Sequence, residues 1–148
     1  MVGYVKALWI QPERKLPFQR VHAAKLIVQN GMEGDCHATQ TDRQITLLSS
    51  EVEQWMTLEY VKGLCFPKFS SNILMEGIDI FRLKEGDILK VEDAILKIRR
   101  YPKRCFGECT RVQEELPCML KEGILYATVI QTGYIHDGDT IYCFGSSC

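Results

Sequence analysis

Ile88-Leu89-Lys90-Val91-Glu92-Asp93-Ala94-Ile95-Leu96-Lys97-Ile98 is the stretch that decides the fold class. Ala94, Leu96 and Ile98 alternate with more polar neighbours, which is the period of a half-buried strand. Glu92-Asp93 reads as a turn, so this strand pairs back on Ile88 to Val91 as a hairpin, and Gly86-Asp87 introduces it. Working outward, similar short β-branched and aromatic runs recur between turn signals. They are Gly3 to Gln11, Val21 to Val28, Arg43 to Leu48, Asn72 to Leu74, Ile124 to Ile130 and Thr140 to Phe144. Pro12 and Pro17 mark one connection, a loop surrounds Pro67, and Asn30 to Asp35, Gly133 and Asp137-Gly138-Asp139 read as turns. One helix is well signalled. Ser50 is placed to cap it, Glu53 to close a capping box, and Val52, Trp55, Met56 and Tyr60 form an apolar face that stops near Gly63. The expected fold is mainly β with little helix.

The 148 residues have the length and balance of one ordinary domain, with 46% hydrophobic and 25% charged residues. At this size a chain buries roughly two thirds of its unfolded surface, so its core stands without staples. Eighteen Lys plus Arg against nineteen Asp plus Glu leave a formal charge of -1. No global field draws the chain to nucleic acid or anionic lipid, and neither is expected as a partner. Apolar stretches break well before the roughly 18 residues that span a bilayer, and no secretory signal is recognisable. The seven cysteines are an odd number, which fits a reduced, cytoplasmic protein whose thiols are buried, metal-ligating or reactive. Gly-Asp pairs recur every 52 residues, at 34, 86 and 138, but their flanks differ and they read as ordinary turns.

The densest chemistry is Cys105-Phe106-Gly107-Glu108-Cys109, followed by Cys118. The basic run Lys97-Ile98-Arg99-Arg100-Tyr101-Pro102-Lys103-Arg104 lies directly upstream. Positive charge beside a thiol favours the thiolate, the form that attacks electrophiles and binds metals, and Cys105 is the best placed. Cys65 and Cys143 lie among apolar neighbours and read as unreactive. Two alternatives remain open for the cluster: inert packing, and a metal held by Cys105, Cys109 and Cys118. Zinc is the weaker form of the second, because Cys-x3-Cys-x8-Cys lacks paired short-spaced knuckles.

A second constellation is Gly31-Met32-Glu33-Gly34-Asp35-Cys36-His37 with Arg43-Gln44-Ile45-Thr46-Leu47. Two glycines allow tight turns that free amide donors for an anion, and His37 and Arg43 add side-chain donors. Arg43 has the geometry to hold a phosphate bidentately. The competing reading is an ordinary turn with a surface histidine. His22 and His136 show no acidic or thiol neighbour at a useful spacing. Walker, GxGxxG, GxSxG and HExxH motifs are absent.

Together these segments resemble the MOSC domain, named after the C-terminal part of molybdenum cofactor sulfurases. The ordered series is Lys15, Gly31 to His37, Arg43 to Leu48, Asn72-Ile73-Leu74, Gly77-Ile78-Asp79, Leu83 with Gly86-Asp87, Cys105, and Gly133 through Gly138-Asp139. Lys103 to Cys109, Pro117-Cys118-Met119 and Glu122-Gly123-Ile124 are similar to the small stand-alone bacterial members. The resemblance covers nearly the whole chain, 1–148, and implies a distorted β-barrel with a few short helices. It further implies binding of the molybdenum cofactor, a pterin-phosphate, or handling of sulfur for metal cofactors. Cys105 would be the sulfur carrier or molybdenum ligand, and Lys15, Gly34, Asp35, His37, Arg43, Asn72 and Arg104 the cofactor-binding set. With no pyridoxal-phosphate domain, the chain would be a carrier that depends on a sulfur donor such as a cysteine desulfurase. Two other functions stay open: a non-catalytic module for another anionic small molecule with structural cysteines, and a reductive enzyme acting on N-hydroxylated compounds.

Overall fold

The structure is a computed structural model that describes residues 1–39, 42–58, 61–66 and 69–148. The expectations for Tyr60 and Pro67 lie outside the described residues. The chain begins with β1 (Val2–Ile10), β2 (Gln19–Val21), β3 (Ala23–Ile27), β4 (Gly31–Met32) and β5 (Ile45–Ser49). Helix α1 (Ser50–Met56) leads to β6 (Ile73–Glu76), β7 (Ile88–Val91) and β8 (Ala94–Arg99). Helices α2 (Thr110–Gln113) and α3 (Met119–Gly123) precede β9 (Leu125–Gln131), β10 (Gly133–His136) and β11 (Thr140–Phe144).

The large sheet runs β11-β7-β8-β9-β5-β6-β1-β2, and β11 also pairs with β1, so seven strands close on themselves as a barrel. A small sheet, β10-β3-β4, lies beside it. Closure leaves these strands few unpaired edges and gives them one shared interior. Every pairing is antiparallel except β5–β6, which α1 and the following loop connect. Strand β1 carries much of the closure: Val2 to Tyr4 pair with β11, while Leu8 to Ile10 pair with β2.

The deciding hairpin forms as expected. Ala94, Leu96 and Ile98 are buried, Val91 pairs with Ala94, and Glu92 takes a φ of 52° in the turn. Val5, Leu8, Leu26, Leu47, Met75, Leu96 and Leu125 fill the interior. Two places read as turns fall in strands: Gly31–Met32, within Asn30 to Asp35, and Gly133, which begins β10 (Gly133–His136). Both are short and pair only with β3, so they carry too little alternation to be read locally.

The helix also differs in its start. Its cap is Ser49, whose hydroxyl accepts a hydrogen bond from the Val52 amide at 3.3 Å. Ser50 is already helical and buried, so the Ser50–Glu53 capping box does not form. Val52 is fully buried, and Trp55 packs edge-on against Phe66. Replacing Ser49 with Ala should cost about 1 kcal/mol. Urea unfolding of Ser49→Ala beside Glu53→Gln checks this: a loss confined to Glu53→Gln would contradict the observed cap.

Two cysteines depart from the reduced reading. Cys143 and Cys148 are joined as a disulfide that fixes the tail after β11. No helix among the described residues is long and apolar enough to cross a membrane.

Candidate functional site

A basic cleft of about 530 Å³ opens where the β1–β2 loop meets the segment between β4 and β5. Arg14 and Lys15 reach it from that loop, where Lys15 adopts a φ of 73°. His37 and Arg43 reach it from the other segment, and Thr46 and Tyr126 form part of its wall. No Asp or Glu lines it among the described residues. The Arg43 guanidinium lies 4.8 Å from the ring centre of Tyr101 and 5.2 Å from that of Tyr126. Two rings thus flank the guanidinium at the cleft.

Behind this cleft, Asp35 organises the wall. Its side chain is fully buried. Oδ1 accepts from the Gln11 amide at 2.7 Å and from Asn72 Nδ2 at 3.1 Å. Oδ2 accepts from the His37 amide and from His37 Nδ1, each at 3.0 Å. Burial pushes the carboxyl up, but the bonds from His37 and Gln11 outweigh it and hold Asp35 below the usual carboxylate range. Asn72 is equally committed: Nδ2 also donates to the Trp9 carbonyl, and Oδ1 accepts from the Thr46 amide.

Asp35 and Asn72, which the resemblance implied as cofactor-binding residues, stand behind the cleft. Neither lines the cleft, and both spend their polar atoms tying β1, β5, β6 and the 31–37 segment together. Gly34 serves through a φ of 88° and does not line the cleft either. His37 does line it, and because Nδ1 donates to a carboxylate, Nε2 is the ring atom left for a ligand.

Asp35, Cys36 and His37 are the one set of three metal-ligating side chains that converge among the described residues. Burial, and then the Asp35 charge, push the Cys36 thiol up, so Cys36 is a poor nucleophile.

A second cleft, of about 320 Å³, gathers four thiols, those of Cys65, Cys105, Cys109 and Cys118. Cys105 and Cys109 come from the β8–α2 loop, and Cys118 caps α3. Cys65 comes from the loop after α1 and is half-buried, not sealed among apolar side chains as its neighbours suggested. The trio Cys105, Cys109 and Cys118 shares this cleft, but its sulfurs do not converge as a ligand group.

The basic run is distributed differently from the expectation. Arg100 donates to the Leu83 and Ile80 carbonyls and so staples the end of β8 to the preceding loop. Arg104 is exposed and lines neither cleft. Lys103, Arg111 and Lys121 supply the positive charge around the thiols. Arg111 is held by the Pro117 and Lys62 carbonyls and lies over the Trp55 ring. A hydrogen bond from the Leu64 amide, with others from Arg111 and Val112, outweighs burial and holds the Cys109 thiol below the usual thiol range.

A third groove, of about 340 Å³, shares lining residues with both clefts. Lys103 and Lys121 belong both to it and to the thiol cleft, and Ile124 belongs both to it and to the basic cleft. Arg14 was not singled out in the sequence, although it stands beside Lys15. Cys65 and Lys121 carried no local signal, since only the folded loops bring them to Cys105. His22 and His136 do have acidic partners: His22 Nδ1 lies 2.7 Å from Asp137 Oδ2, and His136 Nδ1 lies 3.7 Å from Asp139 Oδ2.

The closed strand order defines the class, a mixed β-barrel with three short helices among the described residues. The chain belongs to the MOSC family, whose domain model matches residues 20–142. Its fold is similar to that of the YuaD protein from Bacillus subtilis, with a TM-score of 0.69 at 18% identity, covering 95% of this chain and 94% of that one. YiiM from Geobacillus stearothermophilus matches with a TM-score of 0.66 at 15% identity, over 97% of this chain and 75% of that one. YiiM from Escherichia coli gives 0.66 at 18%, over 98% and 70%. No curated protein matches the chain.

Proposed function

We propose that this MOSC protein binds a phosphate-bearing pterin, the molybdenum cofactor or its metal-free form, in the basic cleft, and presents Cys105 to sulfur or molybdenum. The observation that supports the reading is a cleft with Arg14, Lys15, Arg43 and His37 and no carboxylate among the described residues, next to a groove that shares Lys103 and Lys121 with a cysteine-lined cleft. The donor set fits the group. Guanidinium and ammonium groups suit phosphate oxygens, and an exposed thiol suits a soft metal or a sulfane sulfur. When bound, the cofactor would supply the metal and dithiolene chemistry. The chain's own part is to orient the phosphate with Arg43 and to offer Cys105 at the open end.

Sulfur transfer to this site needs no redox partner. The Cys105 thiolate attacks the outer sulfur of a donor persulfide and takes it up as a persulfide, while the donor leaves as a thiolate. A protein persulfide of the cysteine-desulfurase type is the donor that suits an exposed cysteine.

The test is affinity for the pterin-phosphate, with metal analysis of protein from a cofactor-producing host. Arg43→Ala should weaken binding by roughly tenfold or more, since a charge-assisted contact contributes about 1.5 to 3 kcal/mol. Arg104→Ala, outside the lining, should change it far less. Equal affinity in wild type and Arg43→Ala would reject this placement. Phosphate binding without pterin preference, molybdenum or sulfur uptake would leave a module for another anion.

A further inference from the structure

We propose that Cys109 is a second reacting thiol of this site, which discharges the sulfur carried on Cys105 by forming a Cys105–Cys109 disulfide. The proposal rests on the sulfur-carrier reading above. The Cys109 thiolate attacks the inner sulfur of the Cys105 persulfide, the bond to the outer sulfur breaks, and that sulfur leaves as hydrosulfide. The persulfide's outer sulfur takes the electron pair, so the two protein sulfurs end as a disulfide. An external dithiol then reduces the disulfide and returns both thiols.

Geometry separates the two cysteines. Both line one cleft and belong to one five-residue segment. Cys105 is exposed, as are Phe106, Gly107 and Glu108 after it, so a bulky donor can reach its sulfur. Cys109 is anchored. Its amide donates to the Phe106 carbonyl at 3.1 Å, which closes the turn between the two thiols. Its carbonyl accepts from Val112 and Gln113, each at 3.0 Å, at the start of α2. Gln113 Nε2 donates to the Gly107 carbonyl at 3.2 Å and ties the middle of the turn to that helix.

The backbone amides beside Cys109, that of Leu64 foremost, hold its thiol below the usual thiol range. Such donors stabilise an attacking thiolate without a general base. One thiol is thus built to be reached and its neighbour to attack. Cys118 shares the cleft but caps a different helix, so closing a disulfide to it would engage a second element.

Inorganic polysulfide serves as the sulfur donor for the test. After a short exposure the protein is alkylated and mapped by mass spectrometry without reduction, and released sulfide is measured in parallel. Wild type should give a Cys105–Cys109 disulfide, with one sulfide released per disulfide once excess polysulfide has been removed by desalting. Cys109→Ser should hold the extra sulfur on Cys105 and release sulfide roughly tenfold or more slowly, as expected when the attacking thiolate is removed. The wild-type map needs no variant, and circular dichroism confirms that Cys109→Ser is folded. A disulfide from Cys105 to Cys118 or Cys65, or undiminished sulfide release from Cys109→Ser, would overturn the proposal while leaving Cys105 as carrier. No sulfur on Cys105 in either protein would remove the carrier reading and this proposal with it.

Discussion

Asp35→Ala should lower the unfolding free energy by about 3 to 5 kcal/mol, the range for removing one partner from a buried charged cluster. The carboxylate is buried and accepts four hydrogen bonds, from the Gln11 and His37 amides, Asn72 Nδ2 and His37 Nδ1. Truncation leaves those donors without an acceptor in a place water does not reach. Asp35→Asn keeps the shape but turns an amide N–H₂ toward donors, so roughly 2 kcal/mol is expected for it.

The pH dependence has a definite sign. Asp35 is held below its ordinary range when folded, so its contribution is fully present above the unfolded value of about 3.9 and is lost as pH falls through the lower folded value. The stability gap between wild type and Asp35→Asn should therefore stay constant from neutral pH down to about 5, then narrow below about 4. Urea unfolding across that range checks it, and a gap that persists to the acid limit would contradict the charged role given to Asp35. Loss of the Asp35 bond should also free the His37 ring and weaken anion binding in the cleft.

The second large effect belongs to Gly133, the first residue of β10. A Cβ there would sit 2.4 Å from the Ala94 nitrogen, 2.8 Å from the Asp93 carbonyl carbon and 2.9 Å from the Ala94 Cα. All three are backbone atoms where the β7–β8 turn enters β8, so no side chain can rotate away. Either β10 or that turn must shift, and Gln131 Nε2 is already bonded to the Asp93 carbonyl at 2.7 Å. Gly133→Ala should cost roughly 3 kcal/mol, toward the upper end for overpacking. Gly107→Ala, where a Cβ meets nothing within 4 Å, should stay within about 0.5 kcal/mol of wild type. Thermal unfolding of both variants decides: equal midpoints would mean that the close approach of β10 is not needed.

The barrel strands were legible because strand identity is written in short-range pattern. Ile88–Val91 and Thr140–Phe144 occupy their expected residues, and β1, β5 and β9 lie within two residues of expectation at each end. Alternation and turn residues act over two to four positions, which a single chain displays. The resemblance to the MOSC domain rested on the order of such segments, and the family match agrees with it.

The site was legible in its parts but not in its assembly. Lys15, His37 and Arg43 reach one basic cleft, and Cys105, Cys109 and Cys118 reach one thiol cleft. The Gly-rich turn suggested that Asp35 faced a ligand, yet two of its partners lie 24 and 37 residues away. Arg100 sits in the basic run, but its guanidinium goes to carbonyls 17 and 20 residues back. By itself the sequence determined most of the barrel strands and the turns between them, and which thiols and cations were at hand. Tertiary structure alone decided that β1 meets β11, that Cys65 joins Cys105, and that Asp35 turns inward. Those outcomes depend on which distant segments exclude water together, and no local pattern carries that information.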